Sequence, residues 1–206
     1  MKVICFGDSL TVGYQAPTLA TPYYHATPYG EWLQTWLGDA GTVLVRGVNG
    51  ECTSEMVERF SPDVLAIRPT WVIILGGTND LGANKSLTHI LDNLVTLYEH
   101  AVRASIAPVA VTIPSLRSPV DDAGQYIIQP HIERRMELNR RLVDYCQAAN
   151  IPCIDLFAQT TEENSSLLAA RYSNDGIHLS TAGYTLFAQL VWDQLWAKRI
   201  NKSGRT

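Results

Sequence analysis

Long hydrophobic runs are missing from this chain of 206 residues. The longest, such as residues 72–75, fall far short of the ~20 apolar residues a membrane-spanning helix needs. No stable membrane insertion is therefore expected. Met1-Lys2 leads straight into a strand-like run with no signal-peptide h-region before it, which favours a cytoplasmic location. A secreted protein trimmed of its signal is the alternative. Excess positive charge is missing too. A formal net charge of -4 leaves no basic stripe to neutralise phosphates, which argues against a nucleic-acid partner. The one dense basic spot, Arg134-Arg135 with Arg140-Arg141, has helical spacing and reads as a solvated helix face.

Cysteine is sparse, at four residues, with no C-x-x-C pair and no cluster of metal-ligand spacing, so neither a metal nor another cofactor is implied. Cys5, Cys146 and Cys153 fall in apolar patterns and read as buried, inert thiols. Cys52 lies beside a glycine turn, but no basic residue flanks it in sequence to favour the thiolate, so it too reads as structural. No Gly-x-Gly-x-x-Gly follows a strand and no lysine is placed to cradle phosphate, which weighs against nucleotide binding. Repeats and low-complexity blocks are absent. Residues 1–200 read as one domain and residues 201–206 as a frayed tail.

What is present is an alternation of strand-like and helix-like segments, the signature of an α/β fold around a parallel sheet. Short apolar runs at residues 3–6, 43–46, 71–75, 109–112 and 153–155 predict strands buried on both faces. Helices are predicted over residues 29–37, 54–67, 87–104, 132–149 and 181–200. The last is the clearest, with Tyr184, Phe187, Ala188, Val191 and Leu195 forming one apolar stripe and Ser180 or Thr181 able to cap it. Two connections are long, residues 15–28 and 114–130. Both follow strands, at the sheet end where ligands bind in open α/β folds.

Four features collect at that end. The first strand runs into Gly7-Asp8-Ser9-Leu10, where a sharp turn can lift a serine hydroxyl over the sheet edge. The second strand is followed by Gly47-Val48-Asn49-Gly50, a turn able to expose a backbone N–H, and the third by Gly76-Gly77-Thr78-Asn79-Asp80. Asp175-Gly176-Ile177-His178 stands just before the last helix, where the carboxylate can hold the imidazole while the imidazole takes a proton. An Asp-x-x-His pair alone occurs by chance in roughly one of two chains of this length, a given tetrapeptide in about one in a thousand. The set, in order and each at an element boundary, carries the weight. Asp8 and Asp80 read as turn-stabilising hydrogen-bonders, and His25, His89, His100 and His131 as unpaired surface residues.

With these blocks in hand, the chain resembles the SGNH hydrolases, the GDSL esterase/lipase family, from Gly7 to His178. The resemblance implies a flavodoxin-like three-layer α/β/α sandwich with a central five-stranded parallel sheet. It implies Ser9, Asp175 and His178 as catalytic residues, and an oxyanion hole of the Ser9 N–H, the Gly50 N–H and the Asn79 side chain. The expected activity is a serine esterase acting on small (thio)ester substrates through an acyl-enzyme intermediate. The alternatives are a carbohydrate O-acetylesterase or O-acyltransferase with the same catalytic set and, more remotely, a non-catalytic binding module. Tyr23, Tyr24, Tyr29 and Ile127-Ile128 are candidates to line an acyl groove, or to be core; no residue is assigned to substrate binding. Chain-length preference, physiological substrate and oligomeric state are not legible, nor is a role for the charge of Glu51.

Overall fold

The computed structural model describes residues 1–118 and 128–197. Five parallel strands form the central sheet: β1 (Lys2–Gly7), β4 (Thr42–Gly47), β5 (Trp71–Leu75), β6 (Ala107–Val111) and β7 (Cys153–Ile154). Their order is β4-β1-β5-β6-β7, the doubly wound flavodoxin-like arrangement. All five coincide with the predicted runs within two residues at each end.

Alternation along each strand divides the core. Val3 and Cys5 of β1 and Trp71, Ile73 and Leu75 of β5 face one side, against α2 (Tyr29–Leu37) and α8 (Thr181–Trp192). Ile4, Phe6, Val72 and Ile74 face the other, against α3 (Thr53–Phe60), α5 (Leu87–Arg103) and α6 (Gln129–Ala149). Both faces are buried, so the strands read as continuous apolar runs. The predicted stripe of α8 is buried throughout, and Ser180 caps the helix by accepting from the Gly183 N–H.

Differences from the predicted elements have local causes. α3 ends at Phe60, and residues 61–65 continue as a π-helical turn around Pro62, whose ring nitrogen cannot donate. α8 gives way to a similar turn over residues 193–197, and residue 200 lies outside the described residues. Unpredicted elements include α1 (Ser9–Val12), α4 (Thr78–Gly82), α7 (Leu156–Thr160) and a small antiparallel pair, β2 (Tyr14–Gln15) with β3 (His25–Ala26). Each is too short for a periodic pattern to register.

The basic spot is not a uniform solvated face. Arg140 and Arg141 pair with Glu137 at the surface, but Arg135 is 3% exposed, turned into the protein beside Ile132 and Leu138 on α6. Burial pulls its guanidinium down to about 10, with the Asp8 charge acting the other way. Tyr29 is core rather than groove. It is fully buried with its ring 3.9 Å from that of Phe187. Ile127 lies outside the described residues, and Ile128 stands at the start of α6.

Because the chain winds outward from β1 to β4 and then returns to β5 on the other side, the connections after these three strands diverge over one sheet end. That end carries Ser9, Gly50 and Asn79.

Candidate active site

Ser9 owes its position to Gly7. A Cβ on Gly7 would lie 2.0 Å from the Leu75 carbonyl oxygen, so only glycine lets β1 and β5 close up at this point. Asp8 then caps α1, its Oδ1 accepting from the Leu10 N–H at 2.9 Å, and Ser9 is the first residue of the helix. As a first-turn residue its N–H has no acceptor within the helix. Asp8 is therefore the turn-stabilising group the sequence suggests. It is also fully buried, with no partner for Oδ2 among the described residues. Desolvation, opposed by the Leu10 hydrogen bond, pushes its carboxyl up to about 7.

Asp175 and His178 occupy one tight turn. Ser173 closes it, its Oγ accepting from the Gly176 N–H at 2.8 Å and donating to the His178 carbonyl at 2.6 Å. Oδ1 of Asp175 accepts from the N–H groups of Ile177 and His178 at 2.9 and 2.8 Å, which leaves Oδ2 for His178 Nδ1 at 2.7 Å. Partial burial acts to raise the Asp175 carboxyl, but the His178 ring and the two backbone donors outweigh it and bring it down to about 2. Facing an ionised carboxylate, a neutral imidazole would carry its proton on Nδ1 and keep Nε2 as an acceptor. Nε2 lies 3.0 Å from Ser9 Oγ. The three predicted residues are thus brought into one hydrogen-bonded series across 169 residues of chain.

Two residues without a motif stand beside this series, Tyr14 against the imidazole itself and Gln15 next to Tyr14 in the chain. The Tyr14 ring packs 4.4 Å from the His178 ring and stacks at 5.0 Å on Tyr24, which is half exposed. Gln15, 2% exposed, donates to Thr27 and Thr181 Oγ1 and accepts from the Thr181 N–H, tying the β2–β3 pair to the start of α8. Neither is visible in the sequence, because a Tyr-Gln five residues after a serine has no pattern of its own.

The other two predicted features are linked to each other. Asn79 Nδ2 donates to the Glu51 carbonyl at 2.8 Å, so the amide is tied to the residue that follows Gly50. An amide nitrogen carries two N–H groups, and the second has no acceptor among the described residues. Gly50 adopts φ +76°, and its N–H has no acceptor among the described residues. Asp80 departs from its expected role. It is buried and accepts from the Thr53 N–H and Oγ1 at 2.8 and 3.0 Å, so it pins the start of α3 rather than its own turn. Cys52 precedes α3, where its N–H donates to Glu55. Burial first, then Asp80, raises its thiol, with Lys85 opposing, so the thiolate is disfavoured. Among the described residues no group of three or more His, Cys, Asp or Glu side chains is placed to hold a metal ion.

Residues 5–186 match the family model of the GDSL-like lipase/acylhydrolases. The chain belongs to that family. Among curated relatives, an acetylxylan esterase of Geobacillus stearothermophilus is 26% identical over 152 residues, covering 71% of this chain and 68% of that protein. A GDSL esterase/lipase of Arabidopsis thaliana is 27% identical over 165 residues, 71% of this chain and 63% of its own length. The fold is likewise shared with a carbohydrate acetylesterase from Sinorhizobium meliloti, at a TM-score of 0.76 and 19% identity over 96% of this chain and 99% of that one. The protein is a carboxylic ester hydrolase of the GDSL type, a serine esterase.

Proposed function

We propose that Ser9 is the nucleophile of this esterase, His178 its general base and Asp175 the group that orients His178. The observation that carries the reading is the unbroken series from Ser9 Oγ to His178 Nε2 at 3.0 Å and from His178 Nδ1 to Asp175 at 2.7 Å. In the first half-reaction His178 takes the Ser9 proton as Oγ bonds to the carbonyl carbon. The resulting oxyanion sits against the Ser9 N–H, the Gly50 N–H and the free N–H of Asn79. His178 then returns the proton to the departing alkoxide, leaving an acyl-serine. In the second, water gives a proton to His178 and attacks that acyl group, and the same proton is returned to Ser9.

The acyl group is small on this reading. A second reading, acetyl esters of carbohydrates, is favoured by the acetylxylan esterase relative and by the half-exposed Tyr24 stacked beside Tyr14, since aromatic faces also carry sugars. One panel tests both: p-nitrophenyl acetate and butyrate beside acetylated xylo-oligosaccharides, with wild type and Ser9→Ala. The expected result is turnover of the short p-nitrophenyl esters by wild type and a loss of about a thousandfold or more in Ser9→Ala. Turnover confined to the sugars would move the assignment to the second reading. An active Ser9→Ala variant would remove Ser9 from the reaction.

A further inference from the structure

Glu51 follows Gly50 directly, and its carboxylate is 6% exposed rather than turned to solvent. It receives a forked pair of bonds from Arg59 of α3, Nε to Oε1 and Nη2 to Oε2, both at 2.5 Å. The remaining donors of this guanidinium are also spoken for. Nη2 donates to the Gly7 carbonyl at 3.0 Å, and Nη1 to the Arg46 carbonyl at 3.2 Å and to Asp63 at 2.8 Å. All five N–H groups an arginine possesses are thereby used. The guanidinium also lies 4.1 Å over the Phe6 ring, which fixes its plane.

The acceptors are not scattered. Gly7 is the last residue of β1, two before Ser9. Arg46 lies at the end of β4, four before Gly50. Glu51 is the residue whose own carbonyl receives Asn79. One side chain therefore grips the strand ends that lead to two of the three donors proposed for the oxyanion, and the residue whose carbonyl holds the third. An ion pair taken out of water is seldom the most stabilising choice at such a place, and apolar residues of similar size often serve stability better. Its geometry serves alignment instead: a planar fork holds directions as well as distances.

We propose that Arg59 and Glu51 are a positioning pair for the oxyanion hole, aiming the Gly50 N–H and, through the Glu51 carbonyl, the Asn79 amide. The inference rests on the assignment of Ser9, Gly50 and Asn79 made above. Neither side chain touches substrate. Their effect is on where the donors point, so it belongs to kcat rather than to substrate binding.

The test is a set of double-mutant cycles on p-nitrophenyl acetate with the full chain, using Glu51→Gln and Arg59→Lys, each alone and combined with Asn79→Ala. Glu51→Gln keeps the volume and the backbone carbonyl but gives up the charge-assisted fork. Arg59→Lys keeps the charge and gives up the planar reach. Each single variant is expected to lower kcat by about ten- to a hundredfold, the scale set by small misplacement of reacting groups, with KM within about twofold. In the Asn79→Ala background the further loss should shrink several-fold, because a donor that the pair aims is already gone. Thermal denaturation separates this from simple loosening, since a drop in Tm would be the same in both backgrounds. Should Arg59→Lys not fold, Glu51→Gln alone completes one cycle. Single variants within twofold of wild type in kcat, or losses that multiply in full with that of Asn79→Ala, would overturn the pairing. An Asn79→Ala enzyme as fast as wild type would instead remove the oxyanion assignment on which the pair depends.

Discussion

Replacing Asp175 by Asn would preserve the shape of its turn and change the position of one proton. The Asn Oδ1 can still accept from the Ile177 and His178 N–H groups, as the carboxylate does at 2.9 and 2.8 Å. Its amide nitrogen would then face His178 Nδ1 as a donor, forcing the imidazole proton to Nε2, where the ring can no longer accept from Ser9. On the proposed mechanism, kcat should fall by about ten-thousandfold with KM little changed. A steady-state comparison that showed less than a tenfold loss would deny Asp175 its orienting role. The same residue constrains the pH profile. Its carboxyl, brought to about 2 by hydrogen bonds that outweigh the opposing effect of burial, stays ionised across any ordinary assay range. Asp175 is therefore not the group whose protonation would cause an acid-side loss of activity. Asp-x-x-His was legible in the sequence as a pair; Ser173, which closes the turn, was not, because a serine two residues before an aspartate carries no signal until the chain folds back on it.

At the scale of elements, the glycines that end strands separate two ways of damaging the site. Gly7 has backbone against it, 2.0 Å from where a Cβ would stand, so Gly7→Ala must pry β1 from β5. Loss of folded protein and of activity together is the expected outcome, read by circular dichroism and ester hydrolysis. Gly50 faces open space, and an alanine there meets nothing within 4 Å. Its φ of +76° is the difficulty, at a cost of roughly 1–2 kcal/mol for a residue with a Cβ. Relaxing that strain would swing the Gly50 N–H away, so Gly50→Ala should fold, melt slightly lower and lose much of its kcat. An alanine variant with unchanged kcat would exclude the Gly50 N–H as a donor. The five strands were legible because each is a short apolar run between polar boundaries, and the long helices because their apolar residues recur at helical spacing. The short elements α1, α4 and α7 lack enough turns to show a period. Long-range ties such as Asp80 to Thr53 and Arg135 turned inward from a basic run depend on tertiary packing, which local sequence does not encode.

For the whole molecule, the site makes stability depend on pH. Two carboxyls of the site act in opposite senses. The Asp175 carboxyl lies below its ordinary 3.8, so its contribution to stability is fully present above about pH 4 and is lost as pH falls toward about 2. The Asp8 carboxyl lies above 3.8, at about 7, chiefly because the buried charge is desolvated. Between these values the folded state holds a proton that the unfolded chain has released. Asp8 therefore costs nothing below about pH 4, costs progressively more as pH rises to about 7, and levels off beyond that. Asp8→Asn isolates this effect: its Oδ1 can still accept from the Leu10 N–H, and the group no longer ionises. Thermal melts of the variant and wild type across pH 4–8 should show a difference in Tm that moves in the variant's favour from pH 4 to about 7 and is constant above. A difference in Tm independent of pH would mean that Asp8 does not titrate in this range.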